Sequence, residues 1–216
     1  MNQGLGGRTL KGRIKSLIPR AVLTRDLGTT RGKQVLFTFD DGPDREVTPA
    51  VLDLLDAFGA RAIFFVVGRR VAEAPELLRL IRARGHRIGN HSFRHRRPPV
   101  REYISDLIYC QELLRDHLGE APRLYRPPGG HLSAASLTVP LLLGMRTVNW
   151  SLDVRDYTCR NRPQALAAAR TLASSVRPGH IVLLHDDQPG VLDILEYALP
   201  RLVARGFDLG SAADLV

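Results

Sequence analysis

From Gln34 onward the chain alternates short apolar runs, rich in β-branched and aromatic residues, with segments of helical periodicity. This alternation restricts the fold more than any other feature, because short strands separated by whole helices pair in parallel rather than as hairpins. The strand candidates are 35–39, 62–67, 87–90, 124–126, 146–150, 180–184 and 207–209, and helices are predicted over 47–58, 76–84, 100–118, 134–143, 163–176 and 192–204. In the first of these helices Val47, Val51, Leu54, Leu55 and Phe58 recur on one face, as a helix packed on a sheet requires. The expectation is an α/β domain built on parallel strands.

The chain has 216 residues, 44% of them hydrophobic, enough for one core and one domain. Its formal charge of +9 is unevenly spread. Residues 1–33 hold Arg8, Lys11, Arg13, Lys15, Arg20, Arg25, Arg31 and Lys33 against Asp26 alone, so a basic extension precedes a near-neutral domain over 34–216. That distribution, with no recognition motif, argues against nucleic acid as a partner. In the extension Leu10, Ile14, Leu17, Ile18, Val22 and Leu23 recur at helical spacing among the bases, which predicts a basic amphipathic helix. Such a helix either packs on one end of the domain or makes peripheral contact with an anionic membrane surface. No run is apolar enough to span a bilayer and no signal peptide is evident, so a cytoplasmic location is expected. Cys110 and Cys159 fit no metal or redox spacing and are expected to be reduced and structural. Oligomeric state is not legible.

The polar motifs fall at the C-terminal ends of predicted strands. Asp40 and Asp41 end the first, His91 the third, Arg126 the fourth and His185 the sixth, while Asp153 and Asp156 follow the fifth. In a parallel α/β barrel or sheet, side chains from different strands converge on one pocket at that edge. Two adjacent carboxylates there repel unless a cation lies between them. His91 and His95 are four apart, so on a helical turn both rings project to one side and, with Asp41, offer two nitrogens and an oxygen to one divalent ion. Zn2+ is the first choice, and Co2+, Mn2+ or Ni2+ suit the same donors.

Asp40 is then free to draw a proton from water, and Arg126 beside it would orient that carboxylate and favour its charged form. Gly129 and Gly130 let a backbone N–H approach a substrate closely, which suits an oxyanion donor. His185, supported by Asp153 or Asp156, would protonate a leaving amine, and Leu183, two residues earlier on the same strand face, could wall a small apolar pocket. His86, His117, His131 and His180 receive no role, though His131 lies near the two glycines.

Taken in order, Thr38-Phe39-Asp40-Asp41-Gly42-Pro43, His91-Ser92-x-x-His95, Arg126-Pro127-Pro128-Gly129-Gly130, Trp150-Ser151-x-Asp153-x-x-Asp156-Tyr157 and Leu183-Leu184-His185 resemble the five motifs of the polysaccharide deacetylases, the carbohydrate esterase family 4 proteins with a NodB homology domain. The resemblance runs from about Gln34 to Val216. It implies a distorted, incomplete (β/α) barrel and metal-dependent hydrolysis of an acetyl group on an N-acetylated oligo- or polysaccharide. It further implies Asp40 as base, Asp41, His91 and His95 as metal ligands, Arg126 as support of the base, His185 as acid tuned by Asp156, and Leu183 lining an acetyl pocket. Gly129, Trp150 and Tyr157 fall at the groove. Two positions depart from the family pattern, Gly129 where an aromatic residue is frequent and Tyr157 where tryptophan is usual. The alternatives are a deformylase or deacylase of a lipid-linked sugar and a catalytically silent glycan-binding relative.

Overall fold

The computed structural model describes residues 18–28, 32–96 and 99–216, so most of the predicted basic helix lies outside the described residues. Eight strands form one wholly parallel sheet: β1 (Leu23–Thr24), β2 (Leu36–Asp40), β3 (Ala62–Val66), β4 (Arg87–Asn90), β5 (Leu124–Tyr125), β6 (Arg146–Val148), β7 (Leu152–Asp153) and β8 (Ile181–His185). The helices are α1 (Val47–Ala57), α2 (Gly68–Glu73), α3 (Pro75–Ala83), α4 (Val100–Leu118), α5 (Ala134–Leu142), α6 (Arg162–Ser175) and α7 (Gly190–Ala204). Among the described residues no helix is long and apolar enough to cross a membrane.

The strand order β1-β6-β5-β4-β3-β2-β8-β7 requires the sheet to curl. In a flat sheet β6 and β7 would stand six strand spacings apart, roughly 29 Å at about 4.8 Å each. Only Asn149, Trp150 and Ser151 join them, a tether that reaches at most about 14 Å. The result is an open half-barrel with β1 and β7 at its edges, narrowed where Asp26 bridges His180 and the Leu27 N–H donates to the Gly179 carbonyl at 2.8 Å.

Strand alternation sorts the residues into two cores. Phe37, Phe39, Phe64, Val66, Val182 and Leu184 face outward and pack against the helices, α1 and α7 among them. The opposite face stacks in register inside the barrel. Leu36 lies beside Ile181, Thr38 beside Ile63 and Leu183, and Asp40 beside Phe65 and His185. The lower layers are apolar and are closed by Ala212, Ala213 and Val216 of the C-terminal segment. Arg87, in register with Ile63, donates to the carbonyls of Ala213 and Val216 at the bottom, while the acids and histidines collect in the uppermost layer, at the strands' C-terminal ends. Sequence and structure differ in several elements. Val22 and Leu23 do not continue a helix, because Leu23–Thr24 pairs with Thr147 and Val148. Residues 207–209 make only the single bridge Gln34 to Asp208, since Asp208 turns at once to accept the Gly210 and Ser211 N–H groups. The two-residue β7 and the short α2 were not predicted.

Cys110 and Cys159 are free thiols, the first buried in the outer core. In that core Phe39 and Phe64 stack with ring centroids 4.9 Å apart. Phe64→Ala is expected to cost about 3–5 kcal/mol of stability, read as a lowered urea midpoint with an unchanged m-value.

Candidate active site

Arg126 follows β5 and is completely buried inside the barrel, against the Phe65 ring at 4.1 Å. Its guanidinium is satisfied on nearly every side. Nη1 donates to Asp40 Oδ1 at 2.7 Å and to Thr38 Oγ1 at 2.8 Å, Nε to the Val148 carbonyl at 3.0 Å and Nη2 to the Asn149 carbonyl at 3.2 Å. Thr38 passes the network on by donating to the Val182 carbonyl at 2.6 Å. Burial pulls the arginine's pKa down, and the Asp40 carboxylate pulls it back up. Asp40 is therefore a buried acid with one oxygen fixed on a cation.

In extended chain, neighbouring side chains face opposite ways. Asp41 escapes that rule because its φ of +73° is left-handed, a conformation that aspartate tolerates better than most residues. Both carboxylates consequently reach the same imidazole, with Asp40 Oδ2 and Asp41 Oδ1 lying 3.5 Å and 3.4 Å from His91 Nε2. Beneath the turn, Asp186 accepts the Gly42 N–H at 3.2 Å and the Thr48 hydroxyl at 2.6 Å. A Cβ at Gly42 would collide with that carboxylate, whose pKa burial pushes up to about 7.

The His91 and His95 rings lie 4.9 Å apart. They meet through an irregular loop rather than the expected helical turn, with Ser92 and His95 both at left-handed φ. Side chains hold this loop. Asn90 accepts the Ser92 N–H at 2.7 Å, Ser92 Oγ the His95 N–H at 3.1 Å, and Asp106 on α4 the N–H groups of Phe93 and Arg94 at 3.0 and 3.2 Å. Because the Arg126 carbonyl can only accept, His91 Nδ1 carries the proton in their 2.7 Å contact, and Nε2 is turned toward the acids. Burial lowers the His91 pKa but Asp40 and Asp41 outweigh it, so the ring is more basic than usual; burial and His91 together depress His95.

His185 ends β8 beside Asp40. Its backbone N–H and its Nδ1 contact the two oxygens of Asp156, at 2.7 and 2.9 Å. Asp153 does not share this task, since its Oδ1 accepts the Arg155 N–H at 2.7 Å. Burial opposes the imidazolium, yet Asp156 and then Asp40 and Asp41 raise its pKa to about 9. Leu183 is buried one inward position below. The half-exposed Tyr157 ring meets His185 edge-on at 5.2 Å. Trp150 covers the other wall. It packs where a Cβ on Gly130 would clash, and its ring lies 5.5 Å from the Arg126 guanidinium. The Gly130 N–H donates to Pro127, which leaves the exposed Gly129 N–H as the available donor of the pair.

All the sequence-predicted residues thus gather at one barrel rim. Thr38, Asn90, Ser92, Asp106 and Asp186 complete the site without having been singled out. Thr38, Ser92 and Asp186 lie inside or beside the recognised motifs, whereas nothing in the sequence marks Asp106 among the polar residues of α4.

Asp41, His91 and His95 each offer a ligand atom within 4.8 Å of the others. Asp41 Oδ1 is buried with no aligned hydrogen-bond donor, 3.0 Å from His95 Nε2. An orphaned carboxylate oxygen beside two imidazole nitrogens, one already fixed as an acceptor through its second ring atom, fits a divalent ion of the zinc type.

An open parallel barrel with a buried acid–base pair beside a two-histidine, one-carboxylate cluster is the arrangement expected of the NodB-type deacetylases that the sequence motifs resemble. The comparisons agree. Residues 27–148 match the family model described as polysaccharide deacetylase. The chain is 34% identical over 215 residues to the chitooligosaccharide deacetylase of Bradyrhizobium sp. (strain ANU 289), covering 91% of this chain and 97% of that one. It is 32% identical over 210 residues to a peptidoglycan-N-acetylglucosamine deacetylase of Bacillus cereus, covering 94% and 96%. The structure of the peptidoglycan deacetylase PdaC from Bacillus subtilis superposes with a TM-score of 0.77 at 27% identity, over 86% of this chain and 92% of that one. This chain belongs to the polysaccharide deacetylase family.

Asp41, His91 and His95 form the candidate ion cluster, whereas Asp40 is bonded to Arg126. His91→Ala and Asp41→Asn are expected to weaken Zn2+ binding at least 100-fold, and Asp40→Asn to leave it within a few-fold, as read by competition with a chromogenic chelator.

Proposed function

We propose that this protein removes the acetyl group from N-acetylglucosamine residues of an oligo- or polysaccharide, using a divalent metal ion held by Asp41, His91 and His95. The relatives' substrates and the donor set support this reading. The observation that carries it is the register pairing of Asp40 with His185 at the barrel rim, each backed by its own charged partner, Arg126 and Asp156. When bound, the ion supplies Lewis-acid polarisation of the amide carbonyl and makes water easier to deprotonate.

The remaining chemistry belongs to the chain. Asp40 accepts the proton of the attacking water through the oxygen not occupied by Arg126, whose hydrogen bonds hold the carboxylate in place. Leu183 shapes an apolar wall for the acetyl methyl, and the Gly129 N–H donates to the oxygen that gains negative charge. With Nδ1 committed to Asp156, His185 presents Nε2–H to the sugar nitrogen and protonates it as the C–N bond breaks. Acetate and the free amine leave. Trp150 and Tyr157 flank the rim where a sugar face would stack.

Acetate release from chitotetraose or peptidoglycan glycan strands, abolished by chelator and restored by Zn2+, tests the reading; no release from any N-acetylated glycan would refute it. Asp40→Asn is expected to lower kcat about 10²–10⁴-fold. Asp156→Asn removes the strongest support for the His185 imidazolium, so its pKa falls from about 9. The alkaline limb of the kcat/KM profile should move to lower pH, whereas a purely structural loss would lower the profile without moving it.

A further inference from the structure

A cavity of about 270 Å3 opens beside the site, lined by Arg96, Tyr103, Pro127, Pro128, His131 and Ser133 among others. Its lining begins one residue beyond the ligand candidate His95 and one residue beyond Arg126, so it adjoins the site. Its volume suits one sugar or one pendant group rather than a drug-sized molecule. No aspartate or glutamate is among its lining residues, and neither Arg96 nor His131 has an ion-pair partner among the described residues. This departs from the adjacent surfaces. Arg94 leans on Asp106 at 3.9 Å, and the cavity beside Pro43 holds Arg70 paired with Asp187 at 3.2 Å. Arg69, also exposed, adds positive charge near His95.

The geometry points to a subsite in this cavity for a carboxylate carried by the glycan, with Arg96 as the cation that pairs with it and His131 and Ser133 as neighbouring polar contacts. A guanidinium takes a carboxylate through two parallel N–H donors, and an uncompensated one beside a catalytic groove favours an acidic substrate over a neutral one of equal length. The sugar that reacts is then set in register by a charged substituent on its neighbour. The inference rests on the deacetylase reading only in taking the ligand to be an N-acetylated glycan.

The test uses the full-length, zinc-loaded Asp40→Asn variant, which binds without turnover, and calorimetry at low salt. Three probes are compared: chitotetraose, a muramic-acid-containing tetrasaccharide with free lactyl carboxylates, and the same tetrasaccharide with those groups converted to carboxamides. The carboxylate form is expected to bind at least 10-fold more tightly than the carboxamide. Arg96→Met with His131→Gln should reduce that ratio to within twofold while chitotetraose affinity stays within twofold. Equal affinity for carboxylate and carboxamide overturns the subsite, as does a preference that survives the double variant or a loss of chitotetraose binding in it. Acetate release by the wild-type chain from chitotetraose reports separately on the deacetylase reading, which can stand or fall without the subsite.

Discussion

The buried pair of Arg126 and Asp40 is the constraint around which the barrel is organised. A guanidinium taken wholly out of water costs several kcal/mol unless its donors are met, and here a carboxylate, a hydroxyl and two backbone carbonyls meet them. The two carbonyls belong to Val148 and Asn149, where the chain leaves β6 on its short passage to β7. Arg126 therefore ties the turn that forces the sheet to curl to the strand that carries Asp40, and its own carbonyl fixes the tautomer of His91. One residue joins closure of the barrel, orientation of Asp40 and orientation of the candidate ligand His91.

The second consequence concerns two adjacent aspartates with unlike surroundings. Asp40 is still in the strand, so its side chain follows the alternation into the barrel and meets a cation. Asp41 has already turned into the left-handed region, and its carboxylate comes back to the rim between two imidazoles. Burial opposes its charge, but His91 and His95 prevail and hold it well below the ordinary carboxylate range. A pair of like charges is thus made tolerable by giving each its own positive partner, as the proposed division between holding an ion and handling a proton requires.

Much of this was legible in the sequence because it follows from strand ends. The apolar runs located six of the eight strands, and β4 and α4 fall where the periodicity set them, so the residues at the C-terminal edge were found with them. The losses have physical causes. A two-residue strand such as β1 or β7 has no periodicity to read, and its place in the sheet is decided by neighbours distant in the chain. The His91-to-His95 spacing was read as a helical turn, yet Asn90, Ser92 and Asp106 impose a loop through hydrogen bonds whose partners the sequence does not announce. Asp186 likewise reads as one more acid after a strand until its contacts with Gly42 and Thr48 are seen. Between Asp153 and Asp156 the spacing alone gave no choice, and the turn at Arg155 made it.

The central claim is that neighbouring acids split the work, Asp41 gripping the ion and Asp40 remaining on Arg126. A crystal structure of the Zn2+ complex tests it most directly. The account predicts one ion about 2.0–2.2 Å from an Asp41 oxygen and from one nitrogen each of His91 and His95, with Asp40 still bonded to Arg126 and outside the coordination shell. An ion ligated by Asp40, or bound away from the two imidazoles, would contradict it.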